Sequence, residues 1–490
     1  MGLGPLLRTR ADTLSAVGAL LALALAVLLG VPAPRAPAPT DFPPPPSRTA
    51  LPLEPQPPSE GTRPEVLVLV LPGVGGSLAE RALADGTFHH LAHLAAQGAY
   101  VSSLRFPDLP VRGWAEWVLS TGEAGPPPPE WADLLAAQSE AGCAAWVRVS
   151  ALAPPLWQRA EAAGRPTGLV LWPEVLHPGC EQVASVQVEG WAQDLPARRE
   201  ELRLVPAEGW QGLPLSYSEP LYGTLEPSDG AAPPAEGLFL LALDRRNDGV
   251  ALYDHVLLDD DRDAAEGTIL FRTDEWADAW VLRERLSAAA FRVLGIEQGP
   301  DVRITLYRSP AYHLEVWPQA LRERLGPDTG PLSPPPDLGA WQQGWLSAAQ
   351  VWEMALRHGD GLRRLVEALY RQGDLAALWA RWTPLQEALQ VAEVLGLEAP
   401  SAVRQVLRQV DQEIGKLLWG VDLSVTAVVV IFVPREGSPE GGALVAAGRG
   451  VRRGVVDGPW SAVEAAGFVG ALLGLERPTD LSRYGRALKP

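Results

Sequence analysis

AVVVIFVPREG, residues Ala427–Gly437, is the stretch that decides the fold. The run from Ala427 to Val433 is continuously apolar, rich in β-branched side chains and too short for a buried helix. It reads as a strand covered on both faces and stopped by Pro434. VLVLVLP at Val66–Pro72 reads the same way and runs into Gly73-Val74-Gly75-Gly76. Strands of this kind belong to parallel sheets, and ligands of such sheets sit just beyond the carboxyl ends. Neither exit carries an Asp-His pair, a cysteine, or a nucleophile followed by a base. A scaffold of catalytic type is expected, without the usual chemistry at its site.

Working outward, strands and helices alternate. Helices are expected over Thr87–Gln97, Trp114–Ser120, Trp131–Ala141 and Leu156–Ala163, and strands over Ala99–Leu104 and Gly168–Trp172. This rhythm predicts an α/β fold with a doubly wound, mostly parallel sheet between helices. From 185 to 309 the pattern changes to short runs separated by turn residues. They are Val186–Val188, Leu238–Leu243, Gly249–Leu258, Thr268–Arg272 and Val302–Tyr307, which predict an antiparallel β-rich insertion. Helices return at Ala348–His358, Leu362–Gln372, Leu375–Arg381 and Ser401–Leu418. The strands Val425–Val433 and Ala443–Ala447 and a helix over Pro459–Leu473 close the chain. The α/β domain therefore takes 65–184 and 310–490.

The chain has 490 residues, 47% of them hydrophobic, with 18 Trp, enough for two packed units on a large core. Its net charge of −18 excludes binding of nucleic acid through a basic patch. Residues Thr13–Val31 carry no charge and as a helix would span about 28 Å, close to a bilayer's hydrocarbon core. Arg8 and Arg10 precede them, which keeps a tail of residues 1–12 in the cytoplasm. The expectation is a single-pass membrane anchor with the bulk of the chain outside the cytoplasm; the alternative is a signal peptide cleaved near residue 31, giving a secreted protein. Residues 32–64, with Pro43–Pro46 in a row, read as a semi-rigid polyproline stalk. Cys143 and Cys180, 37 residues apart, would share an oxidising compartment, where they form either a disulfide or two buried small hydrophobes.

Several stretches together resemble the alkaline phosphatase superfamily, in its type I phosphodiesterase/nucleotide pyrophosphatase branch. VLVLVLPG (Val66–Gly73) followed by TFHHLAHLAAQGAY (Thr87–Tyr100) is similar to the family's opening strand and helix. FPDLPVRGWAEWVLSTG (Phe106–Gly122) resembles its nucleophile segment, and PLWQRAEAAGRPTGLVLWP (Pro155–Pro173) its helix–Gly–strand element. Ser401–Val433 and Gly442–Leu475 resemble the segments that carry the Asp-His-Gly motif and close the domain. The resemblance implies the superfamily's sandwich fold. In the family, two metal ions, usually zinc, are held by Asp and His beside a Thr or Ser nucleophile.

Carried over residue by residue, that site is lost. The first Asp falls on Pro72 and the nucleophile on or near Arg112. The Asp-x-x-x-His pair falls on Leu385 and Leu389, and the Asp-His pair on Pro434-Arg435 or Arg435-Glu436. The final histidine has no counterpart, since none follows His358. Aliphatic side chains cannot coordinate such a cation. The expectation is therefore a membrane-tethered pseudo-phosphodiesterase without catalytic residues or metal. It would act by binding a protein partner, such as an active paralogue, or an anion. The alternative is an active metal-dependent phosphodiesterase with a rearranged site. Arg112 and Arg435 are candidates for bidentate binding of phosphate or sulfate; otherwise Arg112 pairs with Asp108 or Glu116.

Other chemistry-bearing clusters have plainer readings. His89, His90 and His93 lie on one predicted helix, but no Glu base is interleaved. Asp259, Asp260, Asp261, Asp263 and Glu266 invite a calcium-loop reading, but Gly at the sixth position and Glu at the twelfth are absent. A charged turn is expected there. Gly73, Gly75 and Gly76 lack the Lys-Ser/Thr of a phosphate loop. Trp341, Trp345, Trp352, Trp379 and Trp382 fall at helical spacing, which favours core over a carbohydrate groove.

Overall fold

In the computed structural model, alternate residues of the first strand feed two separate cores. Leu67, Leu69 and Leu71 pack into one apolar cluster, and Val66, Val68 and Val70 into another on the opposite face. Val428, Val430 and Phe432 join the first cluster, and Val429, Ile431 and Val433 the second. A period of two with both faces apolar forces helices onto both sides of the sheet.

The structure describes residues 63–106, 114–125, 153–172, 184–225, 238–265, 269–282, 285–299, 301–372, 374–397, 400–435, 438, 440–456, 458–475 and 487–488. The expected anchor, stalk and Cys143–Cys180 pair, and Arg112, lie outside them. Among the described residues no helix is long and apolar enough to cross a membrane.

The strands are β1 Val66–Pro72, β2 Ala99–Arg105, β3 Thr167–Val170, β4 Val186–Leu195, β5 Arg198–Arg203, β6 Val205–Pro206 and β7 Leu221–Leu225. They continue as β8 Leu238–Leu243, β9 His255–Asp259, β10 Ile269–Arg272, β11 Trp276–Leu282, β12 Ser287–Glu297 and β13 Arg303–Arg308. The last are β14 Ala311–Trp317, β15 Ala377–Arg381, β16 Ala427–Val433, β17 Gly442–Gly448, β18 Gly454–Val455 and β19 Trp460–Ser461.

One sheet of fourteen strands runs β18-β2-β17-β16-β1-β15-β3-β4-β14-β12-β13-β5, with β11 on β12 and β19 on β2. Its centre, β16-β1-β15-β3-β4, is parallel throughout. Antiparallel pairs extend it on both flanks, through β17 and β2 on one side and β14, β12, β13 and β5 on the other. The parallel sheet expected from the sequence is thus its central part. A second sheet, β10-β9-β8-β7-β6, is antiparallel. Residues 185–309, expected as one β-rich insertion, contribute to both sheets, and a shared cluster including Leu240, Phe271, Phe291 and Ile304 joins them.

Two expectations on elements fail. Leu375–Arg381 is not a helix; Ala377–Arg381 is β15, hydrogen-bonded between β1 and β3 and buried along most of its length. A short Leu/Ala run suits either element by periodicity, and burial between two strands decides it. The helices expected over Ala348–His358 and Leu362–Gln372 are one helix, Ala348–Gln372. Gly361 in its middle leaves room for the chain at Ser333, whose N would lie 3.2 Å from a Cβ there. The closing helix, Ala462–Leu472, starts at a capping box in which Ser461 and Glu464 satisfy each other's backbone N–H.

Candidate functional site

The three central strands β1, β15 and β16 end side by side at Pro72, Arg381 and Val433. Pro72 is in register with Val433, and the N–H groups of Gly73 and Val74 both donate to the Val433 carbonyl, at 2.9 and 3.0 Å. Gly73 turns at φ +91°, a conformation that disfavours a side chain, and a Cβ there would lie 3.3 Å from Leu389 Cδ1. Leu389 reaches this turn from the helix Thr383–Val394, whose Leu385 is fully buried in the core below. The structure thus gathers Pro72, Leu385, Leu389 and Pro434 at one end of the sheet. The donors they offer do not fit the two metal ions of the resembling family, since hydrocarbon supplies no ligand.

Charged groups at this end have partners. Arg381, the last residue of β15, donates from Nε to Glu116 Oε1 at 3.2 Å and from a terminal nitrogen to Gln386 Oε1 at 3.1 Å. Glu116 sits in the first turn of the helix Trp114–Thr121, and its side chain is only 8% exposed. Pairing with Asp108 or Glu116 is the alternative expected for Arg112, which lies outside the described residues; the described partner of Glu116 is Arg381. Sequence reasoning missed it because β15 was read as a helix. Its signal, a lone Arg closing an apolar run, was visible only once that run is a strand.

The glycine-rich turn is closed by another carboxylate. Glu440 accepts from Ser77 Oγ at 3.0 Å, and its Oε2 would lie 2.2 Å from a Cβ on Gly75. The helix Gly76–Ala84 begins here, so its positive end already faces an acidic side chain. Arg435 is exposed and bonded to Glu393 of the Thr383–Val394 helix at 2.8 Å. Of the two arginines expected to bind an anion, the described one is therefore held by a carboxylate.

The remaining clusters resolve individually. His90 lies edge-on to Trp419 and against Gly415, His93 contacts Gln97 at 2.6 Å, and no group of metal-ligating atoms forms around them among the described residues. Trp379 and Trp382 are buried, and Trp341, Trp345 and Trp352 pack partly buried against the core. A small cleft open to solvent, lined by Trp191, Trp280, Tyr312 and Arg322 among others, includes none of the sequence-predicted site residues. The acidic run forms a turn at the end of β9. There Asp259 is buried, and burial, with the charges of Asp261 and Asp260 beside it, pushes its carboxyl up to about 6 against the nearby N–H groups of Asp260 and Arg262.

No family model matches the chain, and no curated protein matches it. Likeness to solved structures is faint but long. A putative sulfatase from Bacteroides fragilis is 11% identical with a TM-score of 0.34, over 86% of this chain and 76% of that one. A protein designated Ps i-CgsB, solved with k-i-k-neocarrahexaose, is 10% identical with a TM-score of 0.34, over 85% and 73%. A third, solved with its substrate D-glucosamine-2-N,6-O-disulfate, is 11% identical with a TM-score of 0.31, over 86% and 79%. None of these likenesses bears on activity.

Proposed function

We propose that this chain is a membrane-tethered, non-catalytic member of the alkaline phosphatase superfamily that works by binding a protein partner outside the cytoplasm. The observation that carries the reading is the sheet end at Pro72, Arg381 and Val433. Where the resembling phosphodiesterases hold two metals, this chain has proline, leucine and an Arg381–Glu116 pair. The order of the motifs from Val66 to Leu475 supports the superfamily. The uncharged run Thr13–Val31 and the proline tract behind it support the tether.

A closed, self-satisfied strand exit removes the reason for keeping unpaired charge in the cleft, since a buried charge without a partner costs several kcal/mol. The test is metal analysis of the purified full-length protein together with hydrolysis of bis-p-nitrophenyl phosphate and p-nitrophenyl phosphate. Absence of stoichiometric zinc or manganese and of turnover is expected. Chelator-sensitive hydrolysis with bound zinc would establish the active, rearranged phosphodiesterase instead.

A further inference from the structure

Five carboxylates are buried among the described residues: Glu116, Asp244, Asp259, Asp411 and Glu413. Four of them are satisfied. Glu116 takes Arg381; Asp244 takes Ser218 Oγ and the Arg246 N–H; Asp411 takes the N–H groups of His90 and Leu91; Glu413 takes Arg363, Gln409 and Lys416. Asp259 is the exception. It is 2% exposed, and neither Oδ1 nor Oδ2 has a hydrogen-bond partner. The N–H groups of Asp260 and Arg262 lie near it without completing a hydrogen bond of good geometry, and a carboxylate out of water held only so weakly calls for a counter-charge.

Beside Asp259 lie two more carboxylates, and no cationic side chain is bonded to it. One carboxylate oxygen each from Asp259, Asp260 and Asp261 lies within 4.8 Å of the others. The nearby Arg262 does not fill the role, because its guanidinium lies over the rings of Phe239 and Tyr222, 4.4 and 5.0 Å from their centroids. We propose that the Asp259–Asp261 turn is a divalent-cation site of the calcium type. Three carboxylates with no histidine or cysteine are hard oxygen donors, which select calcium or magnesium over zinc. An irregular turn suits calcium's loose coordination better than magnesium's strict octahedron.

The ion would brace the second sheet. Phe239 on β8 pairs with Asp259 on β9, and the turn beyond is tied to another loop by Gln211 N–H to the Arg262 carbonyl and Ala264 N–H to the Gln211 carbonyl, both 3.0 Å. The site lies apart from the strand exits and does not depend on the proposed function. With no bidentate Glu at the twelfth position, affinity falls at the weak end, a Kd of roughly 0.1–1 mM.

The test is calcium titration of chelator-stripped full-length protein, read by calorimetry and by thermal unfolding. One saturable site per chain is expected, with Tm rising about 1–2 °C near tenfold saturation. Asp260→Asn/Asp261→Asn, which alters only carboxylates outside the core, should fold and bind calcium at least ~10-fold more weakly, while Asp248→Asn behaves as wild type. No heat and no shift at about 10 mM calcium overturns the site. A shift that survives the double substitution, or a response to magnesium alone, overturns it equally.

Discussion

Two regions of the described chain with acidic side chains at strand ends are opposites. At the exits of β1, β15 and β16, where ligands of such sheets sit, the described charged groups have partners: Arg381 with Glu116, Arg435 with Glu393, and Glu440 with the Ser77 hydroxyl at the glycine turn. At the end of β9, where a plain charged turn is expected, a buried carboxylate stands unpaired. Fold position alone therefore does not locate function. An unsatisfied polar group is the better guide, because it is the costly feature that a packed interior does not retain without a partner.

The comparison breaks first if the strand exits are not a rigid, filled core. Phe432→Ala should cost about 3–5 kcal/mol in denaturant unfolding, because Phe432 is fully buried and stacks on Phe88 with ring centroids 5.6 Å apart. A much smaller loss would mean the exit is loosely packed and open to a ligand. Arg381→Ala should cost about 2–4 kcal/mol by stranding Glu116, reduced from the fully buried case by the partial exposure of Arg381. Adding Glu116→Gln should recover most of that loss; failure to recover would assign Arg381 a role beyond pairing.

The Asp259 turn gives a pH signature in chelator-treated protein. Burial raises its carboxyl from 3.8 to about 6, so the folded chain holds the proton more tightly than the unfolded one. Its contribution is fully present below the lower value, falls between the two, and leaves a constant penalty above the upper one. Wild type should thus lose about 2–3 kcal/mol relative to Asp259→Asn from pH 4 to pH 7, measured by urea unfolding at each pH. Equal curves for both proteins would show that the carboxylate has a partner in solution. The smallest effect belongs to Arg435→Ala, below about 0.5 kcal/mol, since that pair is open to water on both sides. A larger loss would mean that this arginine anchors something the pair alone does not explain.

Much of this was legible in the chain itself. The period-two apolar runs Val66–Leu71 and Ala427–Val433 dictate strands buried on both faces, hence parallel neighbours and helices on each side. The residues that end those runs, Pro72 and Pro434, offer no side-chain ligand for a metal, because side-chain chemistry does not depend on folding. Arg381 was hidden, since LAALWAR carries no periodicity that separates a strand from a buried helix. Its placement between β1 and β3 is settled by partners that lie hundreds of residues apart in the chain.

Sequence alone thus determined the strands β1 and β16 and the kinds of atoms at their ends, but not β15 between β1 and β3. Tertiary structure decided which of those atoms are satisfied. Glu116 meets Arg381 across 265 residues and Ser77 meets Glu440 across 363, while Asp259 meets no hydrogen-bond partner. Local pattern reports burial and period, which act over a few residues. Electrostatic satisfaction depends on what the completed fold brings within about 3 Å.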